Sequence, residues 1–541
     1  MKRIKAVLGL MLAVIMLLTA CGGNAAPATE AAAPAEAAKP AEAEAAKPAE
    51  TEAAVATQVV NEELAATANP DAIITFGIDT EPEHLSLAQS IDYVVVWCAK
   101  DINDFLVKYD KNMELQLSMA KKLDKIDTTT YEFEINPGIK FHNGREVKAD
   151  DVKFSLEYII DPESASGQSS YFTALDNVEV TGDYTGIIHL KEPYFSILNK
   201  LAAAPIIPKE CADDLKTNPV GCGPYKFKEW NKDQDIQLVR FDDYWNKDCA
   251  AQNGGITFKI MKEYTTIHNA FVAGEIDAIM WSDFADVAMW DSMDGVYAQD
   301  NKLYDSFIAV YNTNCEPLAD ARVRRAIGLA LDKQQMIDMT SFGFGEILDE
   351  PCYPGTFYYN DAASYSRNID EAKALLAEAG YADGFTCTLL VPTTVQEGGC
   401  GDLMQAQLKE LGIDAQLEKV EVGVFIDRVW GRKDFDICVT GDGSDGDPDN
   451  WLSRWIKTGA DNNLGSYSNS ELDELIAAGG RADTKEERKA HYDKAFEIIN
   501  EEMPLTYLFG GHLATALHDN IQGFIMYTNW WADYYEMTKS E

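Results

Sequence analysis

The sequence is poor in basic residues for its length. It has 46 Lys and Arg against 89 Asp and Glu among 541 residues, which gives a formal net charge of −43. A nucleic-acid partner needs a basic surface that neutralises phosphates, so this charge excludes one. The same charge disfavours electrostatic docking on anionic lipid. We therefore expect an acidic, soluble body.

Metal-binding and catalytic motifs are also missing. The sequence contains no Cys-x-x-Cys pair and no His-Glu-x-x-His motif, and its seven histidines are scattered, so we expect no metal site and no cofactor. We identify no nucleophile beside a base, so we assign no catalytic residue and expect no enzyme activity. Nine cysteines follow Cys21. At least one must stay free within a monomer, and most are expected to be small core residues.

Only the N-terminus carries a long apolar run. Basic Lys2, Arg3 and Lys5 precede residues 6–18, which are apolar but too few to span a membrane comfortably. The run ends in Leu-Thr-Ala-Cys, with the cysteine at position 21. This arrangement resembles a bacterial lipoprotein signal and implies cleavage before Cys21 and lipidation of its sulfur. The alternative is a plain secretory signal followed by an incidental cysteine.

Residues 24–69 consist mainly of Ala, Pro, Glu and Lys in loose repeats. The segment has almost no large apolar side chains, and Pro40 and Pro48 prevent one long helix. We interpret it as a tether without fixed structure, with a reach of about 40 Å as a coil.

Residues 131–160 predict a strand, two turns and a helix. From Tyr131 to Ile135 large apolar residues alternate with glutamates, a period of two that is typical of a strand with one buried face. Asn143-Gly144 predicts a hairpin turn. Asp150 or Asp151 is predicted to cap the helix that follows. By periodicity alone, any α/β domain with a hairpin and a helix would fit.

The residues at these positions resemble the signature of the family-five extracellular solute-binding proteins, the oligopeptide, dipeptide and nickel type that feed ABC importers. The signature residues present are Gly138, Lys140, Phe141, His142, Asn143, Gly144, Asp151, Val152, Phe154 and Ser155. Blocks that resemble the family also begin at Pro219, Ala270 and Ala319. The resemblance covers roughly residues 72 to 540.

The resemblance implies an α/β protein with a two-lobed, periplasmic-binding-protein-like fold (type II) and an additional smaller domain. The expected boundaries are 1–20 for the signal peptide, 21–70 for the lipidated cysteine and tether, 71–97, 200–302 and 505–541 for lobe I, 98–199 for the extra domain on lobe I, and 303–504 for lobe II.

Helix and strand patterns alternate in lobe II. Asp320 is predicted to cap a helix, and Asp370 is predicted to start another. A helix from about 403 to 411 lies between predicted strands 389–391 and 413–417. Such alternation predicts a largely parallel sheet.

An acidic turn follows the short apolar strand 435–439. It contains Asp442, Asp445, Asp447 and Asp449. A calcium loop of the EF-hand type is disfavoured, because the positions that would need Gly and Glu hold Asn and Ile. Paired-carboxylate catalysis lacks a basic or nucleophilic partner. Solvated or helix-capping roles remain open, and we prefer them for Asp447 and Asp449.

The resemblance implies a ligand contact in this turn. In the peptide-binding relatives an Asp at the end of this strand pairs with the peptide's α-ammonium, a charge-assisted contact in a partly dry cleft. The count places it at Asp442, with Asp445 as the alternative because the loop is one residue longer. Val439 stands where peptide binders commonly have Trp, so other ligand classes stay open.

Aromatic residues are the other candidates for the ligand cleft, each with a core position as its alternative. They are Tyr93, Trp97, Tyr171 and Tyr507, together with Trp530 and Trp531.

We therefore expect a monomeric, lipid-anchored receptor on the outer face of the cytoplasmic membrane. It would capture a di- or oligopeptide between hinged lobes and deliver it to an ABC permease. A nickel chelate, haem or an oligosaccharide on the same scaffold is the nearest alternative. A secreted acidic hydrolase and a calcium-dependent adhesin are alternatives of other classes.

Overall fold

A computed structural model describes residues 67–444 and 446–540. The expected signal peptide, Cys21, most of the tether and Asp445 lie outside the described residues. The described residues form a mixed α/β fold and belong to one compact unit.

The strands of the described residues are short except for two. They are β1 (Ile73–Ile78), β2 (Val107–Tyr109), β3 (Leu115–Leu117), β4 (Ala120–Asp127), β5 (Thr130–Ile135), β6 (Leu175–Val180), β7 (Thr185–Leu190), β8 (Tyr225–Asn231), β9 (Asp235–Arg240), β10 (Gly255–Ile260), β11 (Ala278–Ser282), β12 (Val296–Tyr311), β13 (Glu346–Ile347), β14 (Thr386–Pro392), β15 (Asp414–Val420), β16 (Ile437–Gly443), β17 (Leu505–His518), β18 (Ile521–Gln522), β19 (Ile525–Met526), β20 (Ala532–Asp533) and β21 (Thr538–Lys539).

The helices pack on both faces of the main sheet and on the smaller sheet. They are α1 (Tyr93–Ala99), α2 (Ala149–Ile160), α3 (Ile197–Leu201), α4 (Tyr264–Val272), α5 (Phe284–Trp290), α6 (Ala321–Ala330), α7 (Lys333–Thr340), α8 (Ile369–Glu378), α9 (Val395–Leu408), α10 (Val422–Ile426), α11 (Pro448–Trp455), α12 (Ser470–Arg481) and α13 (Lys485–Glu502).

One large sheet runs through most of the described chain. Its strand order is β15-β14-β16-β12-β17-β11-β1-β10-β9-β8, with β13 paired to β17. The pairing is parallel within β15-β14-β16 and within β11-β1-β10, and antiparallel where β12 and β17 pass between these two groups. The parallel sheet predicted for the second lobe is therefore confirmed for its three outer strands, whereas the sheet as a whole is mixed.

The two long strands pass from one hydrophobic core to another. On β12, Leu303 packs in the core built on β1 and β10, whereas Tyr304 packs in the core beneath α11 and α13. On β17, Leu513 belongs to the first core, and Phe509 belongs to the core beneath α6 and α9. Each strand thus joins two separately packed bodies. The segment 505–509, expected in lobe I, packs with the second body.

A third body is the smaller domain. Its antiparallel sheet has the order β4-β5-β7-β6, and α2 packs against it with Val152, Leu156 and Ile159 buried. The predicted hairpin is present, since the Phe141 N–H donates to the Arg145 carbonyl over 2.8 Å. The predicted N-cap, Asp150 or Asp151, is wrong, because Lys148 occupies the N-cap position of α2. Asp151 lies in the first turn, where its side chain accepts the backbone N–H of Lys148 over 2.9 Å.

The signature stretch stabilises a close chain crossing. His142 Nε2 lies 3.0 Å from the carbonyl oxygen of Gly223. A Cβ on Gly223 would lie 2.4 Å from the Asp101 carbonyl oxygen, and one on Gly221 would lie 2.1 Å from the Ile102 oxygen. Only glycine permits this approach of the two backbones.

Other local predictions vary in accuracy. Asp320 caps α6 as predicted, with its side chain accepting the Arg322 N–H over 2.9 Å. Asn368, and not Asp370, caps α8. The helix predicted from 403 begins eight residues earlier, at Val395. Gly398, Gly399 and Gly401 interrupt the apolar periodicity of its first half, but α9 tolerates them.

The nine cysteines among the described residues are free, and six of them are buried. This agrees with their expected role as small core residues. Among residues 67–444 and 446–540, no helix combines the length and apolar character needed to span a membrane.

Candidate functional site

A cavity of about 590 Å³ lies where β12 and β17 pass between the cores. Residues of every body contribute to its wall, including α1, the smaller domain, the turn after β16 and the chain end near Trp530. The volume falls within the range of small-molecule sites, which are commonly formed between domains. None of the ten signature residues lines it, so the signature reports the fold and not the ligand contacts.

The pairing of β12 places Asp305 in the cavity wall. In the pairing of β12 with β17, Lys302 lies opposite His512, and the next paired residues are Ser306 and Gly510. Four residues of β12 therefore span two residues of β17, so β12 has a bulge immediately before Ser306. A bulge redirects the side chains beside it. The Asp305 backbone is held there by Tyr353, whose hydroxyl accepts from the Asp305 N–H over 3.0 Å and donates to the Asp305 carbonyl.

Asp305 carries an uncompensated charge. It is partly buried, and it makes no ion pair with any Lys, Arg or His of the described residues. Burial raises the pKa of its carboxyl to about 7, and the carboxylates of Asp442 and Glu397 add to the rise. The backbone N–H of Ser306 acts weakly in the opposite direction.

Asp442 also lines the cavity, at the end of β16. Its Oδ2 accepts the indole N–H of Trp455 over 2.6 Å and lies 3.1 Å from Arg454. Burial raises the pKa of Asp442, and Arg454 opposes that rise. Both side-chain contacts are made to Oδ2, and a backbone hydrogen bond from Gly443 also opposes the rise in pKa.

Tyr171 lies between two cations at one end of the cavity. The Lys200 ammonium is 5.2 Å from its ring centroid and the Arg454 guanidinium is 5.6 Å from it. These cation–π contacts fix the ring as part of the wall. All three residues line the cavity.

Three aromatic rings form another part of the wall. The ring centroids of Tyr93, Trp281 and Trp530 are 5.4 to 5.9 Å apart, and their mutual angles range from tilted to edge-on. Trp281 keeps 36% of its surface exposed. Because its ring lines the cavity, the exposed surface can contact an apolar part of a ligand.

The structure separates the residues predicted for the site. Tyr93, Tyr171, Asp442, Trp530 and Trp531 line the cavity. Trp97 does not, because it is 1% exposed and its indole N–H donates to the Trp530 carbonyl over 2.9 Å. Tyr507 is also buried, with its ring 5.0 Å from that of Trp451. Asp445 lies outside the described residues.

Sequence reasoning missed Asp305, Glu397, Trp281 and Arg454. A signal was available for Asp305, because it occupies the same face of β12 as Phe307, Ala309 and Tyr311, which pack in a core. A carboxylate that continues a buried apolar face is costly unless it has a function or a partner. Nothing comparable marks Trp281 in the sequence.

The structure gives Asp447 the preferred capping role but not Asp449, which is buried within α11 and accepts the hydroxyls of Ser453 and Tyr492 over 3.2 and 3.1 Å. Asp447 caps α11 as preferred, accepting the Asp449 N–H over 2.9 Å, but it is buried and not solvated. Arg488 donates to both of its carboxylate oxygens, over 2.8 and 3.0 Å. The hydroxyl of Ser196, the residue before α3, donates to Asp447 Oδ2 over 2.8 Å and so joins the turn to the start of α3.

Comparison with known proteins matches residues 114–463 to the family described as bacterial extracellular solute-binding proteins, family 5 Middle. The chain is 27% identical over 460 residues to the oligopeptide-binding protein AppA of Bacillus subtilis, covering 78% of this chain and 82% of that protein. It is 27% identical over 444 residues to heme-binding protein A of Haemophilus influenzae, covering 75% of this chain and 82% of that protein.

A solved structure shows the same fold. The ABC transporter substrate-binding protein CtaP of Listeria monocytogenes superposes with a TM-score of 0.79 at 23% identity, covering 87% of this chain and 100% of that chain. The family match extends over well more than half of the sequence. The chain therefore belongs to the bacterial extracellular solute-binding proteins of family 5, with the multi-domain α/β fold of the periplasmic binding proteins.

Proposed function

We propose that this chain is the solute-binding lipoprotein of an ABC importer and that it captures a peptide-like solute in the cavity. The observation that supports this most is the cavity's position where β12 and β17 pass between separately packed cores. A site between two bodies joined by two strands is suited to closure around a ligand. The named function of the Bacillus relative, oligopeptide binding, agrees with it.

Asp442 is the proposed partner of the ligand's α-ammonium, with Asp445 as the alternative. Asp442 Oδ1 would accept the ammonium while Oδ2 keeps its contacts to Trp455 and Arg454. Tyr93 and Tyr171 would contact the rest of the ligand. The protein binds and releases its solute without reaction, acts as a monomer and needs no cofactor.

The anchor and the lobe boundaries belong to the same proposal. Lipidation of Cys21 would hold the protein on the outer face of the cytoplasmic membrane, and the segment to residue 70 would let it reach its permease. Lobe II would run from 303 to 504, and the segment 505–509 of β17 packs with it. Metabolic labelling with a fatty acid tests the anchor: label should follow the protein and disappear in Cys21→Ser.

Calorimetric titration with di- to pentapeptides tests the function, after mass spectrometry of whatever small molecule co-purifies. We expect one site per chain, and about 10- to 100-fold weaker binding in Asp442→Ala, since a hydrogen bond to a charged group is lost. Asp427→Ala is the control, because Asp427 pairs with Arg432 over 2.8 Å but lies on the surface. Failure of every peptide to bind would refute the proposal, and a co-purified haem or metal chelate would replace it.

A further inference from the structure

Two carboxylates of the cavity, Asp305 and Asp442, lie on opposite sides of the main sheet. Asp305 pairs directly with Gly443, and Ser306 pairs with Asp442. Because side chains alternate along a strand, Asp305 and Asp442 point to opposite faces. Their packing agrees: Phe307, on the face of Asp305, packs in the core beneath α9, whereas Asp442 contacts Trp455 of α11.

Each face has its own charge balance. On the Asp442 side, the cavity wall includes the cations Arg454 and Lys200, and Arg454 lies 3.1 Å from the Asp442 carboxylate. On the Asp305 side, Glu397 of α9 adds a second carboxylate, and neither acid has a basic partner among the described residues. Among residues 67–444 and 446–540, the hydrogen bond that Glu397 accepts comes from the hydroxyl of Thr394, over 2.6 Å. The Asp305 side of the cavity is therefore negative.

Several features make this side a place for part of a ligand. The Asp305 side belongs to the same cavity as Asp442, and Gly511 forms part of its wall. Gly511 lies close to both groups, since a Cβ at this position would be 3.3 Å from Asp305 Oδ2 and 3.3 Å from the Phe307 ring. The Phe307 ring supplies apolar wall beside the carboxylate. A long aliphatic stem that ends in a cation matches such a surface.

We infer that Asp305, assisted by Glu397, is a specificity-determining residue that receives a second cationic group of the ligand, the ammonium or guanidinium of a basic side chain. The inference rests on the proposed function and narrows its substrate class to basic peptides. Asp442 would bind the α-ammonium on one face of the sheet, and Asp305 the side-chain cation on the other. A ligand cation there would neutralise a charge that the protein leaves unpaired.

The test compares tripeptides that differ only in one charge. Lys-Ala-Ala, Ala-Lys-Ala and Ala-Ala-Lys are titrated against their norleucine counterparts at pH 8, with wild type, Asp305→Asn, Glu397→Gln and Asp442→Asn. We expect at least one lysine peptide to bind about tenfold more tightly than its counterpart. Asp305→Asn should remove that preference and Glu397→Gln should reduce it. Asp442→Asn should weaken both members of a pair equally.

N-acetylated peptides identify the cation. Acetylation removes the α-ammonium, so the preference for lysine over norleucine should remain. If Asp305→Asn no longer affects binding once the peptide is acetylated, Asp305 binds the α-ammonium and the inference is overturned. Equal binding of lysine and norleucine peptides would overturn it while leaving peptide capture in place. Binding of no peptide at all would refute the proposed function as well. Thermal melts show whether Asp305→Asn is folded, and Glu397→Gln provides the independent second variant.

Discussion

Removing one partner of the buried pair Arg488–Asp447 should strongly destabilise the protein. Their side chains are 1% and 2% exposed, and two hydrogen bonds of 2.8 and 3.0 Å join them. Arg488 holds the pKa of Asp447 below its usual range, although burial alone would raise it. Asp447 also accepts from Ser196 and Asn199, which lie on the other side of the contact.

Replacing Arg488 by Met removes the cation that donates to both oxygens of buried Asp447. Breaking a buried pair in this way costs about 3–5 kcal/mol of unfolding free energy, because the buried carboxylate loses two charge-assisted hydrogen bonds in a medium of low polarity. Urea unfolding at pH 7.5 measures the loss. Arg432→Met is the matched control: Arg432 and Asp427 are also 2.8 Å apart but are 55% and 63% exposed, so the loss should stay below about 1 kcal/mol.

The pH dependence of stability gives a second readout. Because the folded pKa of Asp447 is lowered, its contribution is complete above the unfolded pKa of about 4 and is lost as the pH falls through the folded value. Arg488→Met should reduce the loss of stability in acid. Equal destabilisation by Arg488→Met and Arg432→Met would refute the account of this contact.

Three further results are expected. Binding of a lysine peptide at the Asp305 site should be about tenfold weaker at pH 6 than at pH 8, because Asp305 must lose a proton to bind a cation and its pKa is about 7, raised by burial, Asp442 and Glu397. Asp305→Asn should flatten the profile, and an unchanged slope in this variant would contradict the prediction. Gly510→Ala should cost about 1–3 kcal/mol in urea unfolding, since its Cβ would lie 2.2 Å from the hydroxyl of buried Tyr353; an unchanged midpoint would contradict this. Trp281→Ala should weaken peptide binding and remove part of the ligand-dependent change in fluorescence, and an unchanged response would exclude Trp281 from the ligand contacts.

Much of the fold was predictable because its signals are local. The alternation from Tyr131 to Ile135 predicts β5, and Asp320 predicts the start of α6. Both features depend on neighbours within a few residues along the sequence. The passage of β12 and β17 between cores was not predictable in the same way. It depends on which distant side chains pack against each half of a strand, and periodicity does not contain that information.

The site was predictable only in part for a related reason. Asp442 follows its strand in a recognisable turn, whereas the position of Asp305 depends on a bulge fixed by the register with β17. Trp97 and Tyr507 had the right residue type, but the structure buries both, and Trp97 donates to the carbonyl of the cavity residue Trp530. Aromatic composition alone does not distinguish a ring that faces a ligand from one that supports it.

We propose that the cavity captures a small solute and releases it unaltered. Equilibrium dialysis against a binding tripeptide, followed by mass spectrometry of the bound and free fractions after prolonged incubation, tests both parts of this proposal. We expect one tripeptide per chain, recovered with unchanged mass, and a large loss of bound peptide in Asp442→Ala. Cleavage products, or a bound fraction that does not saturate, would contradict it.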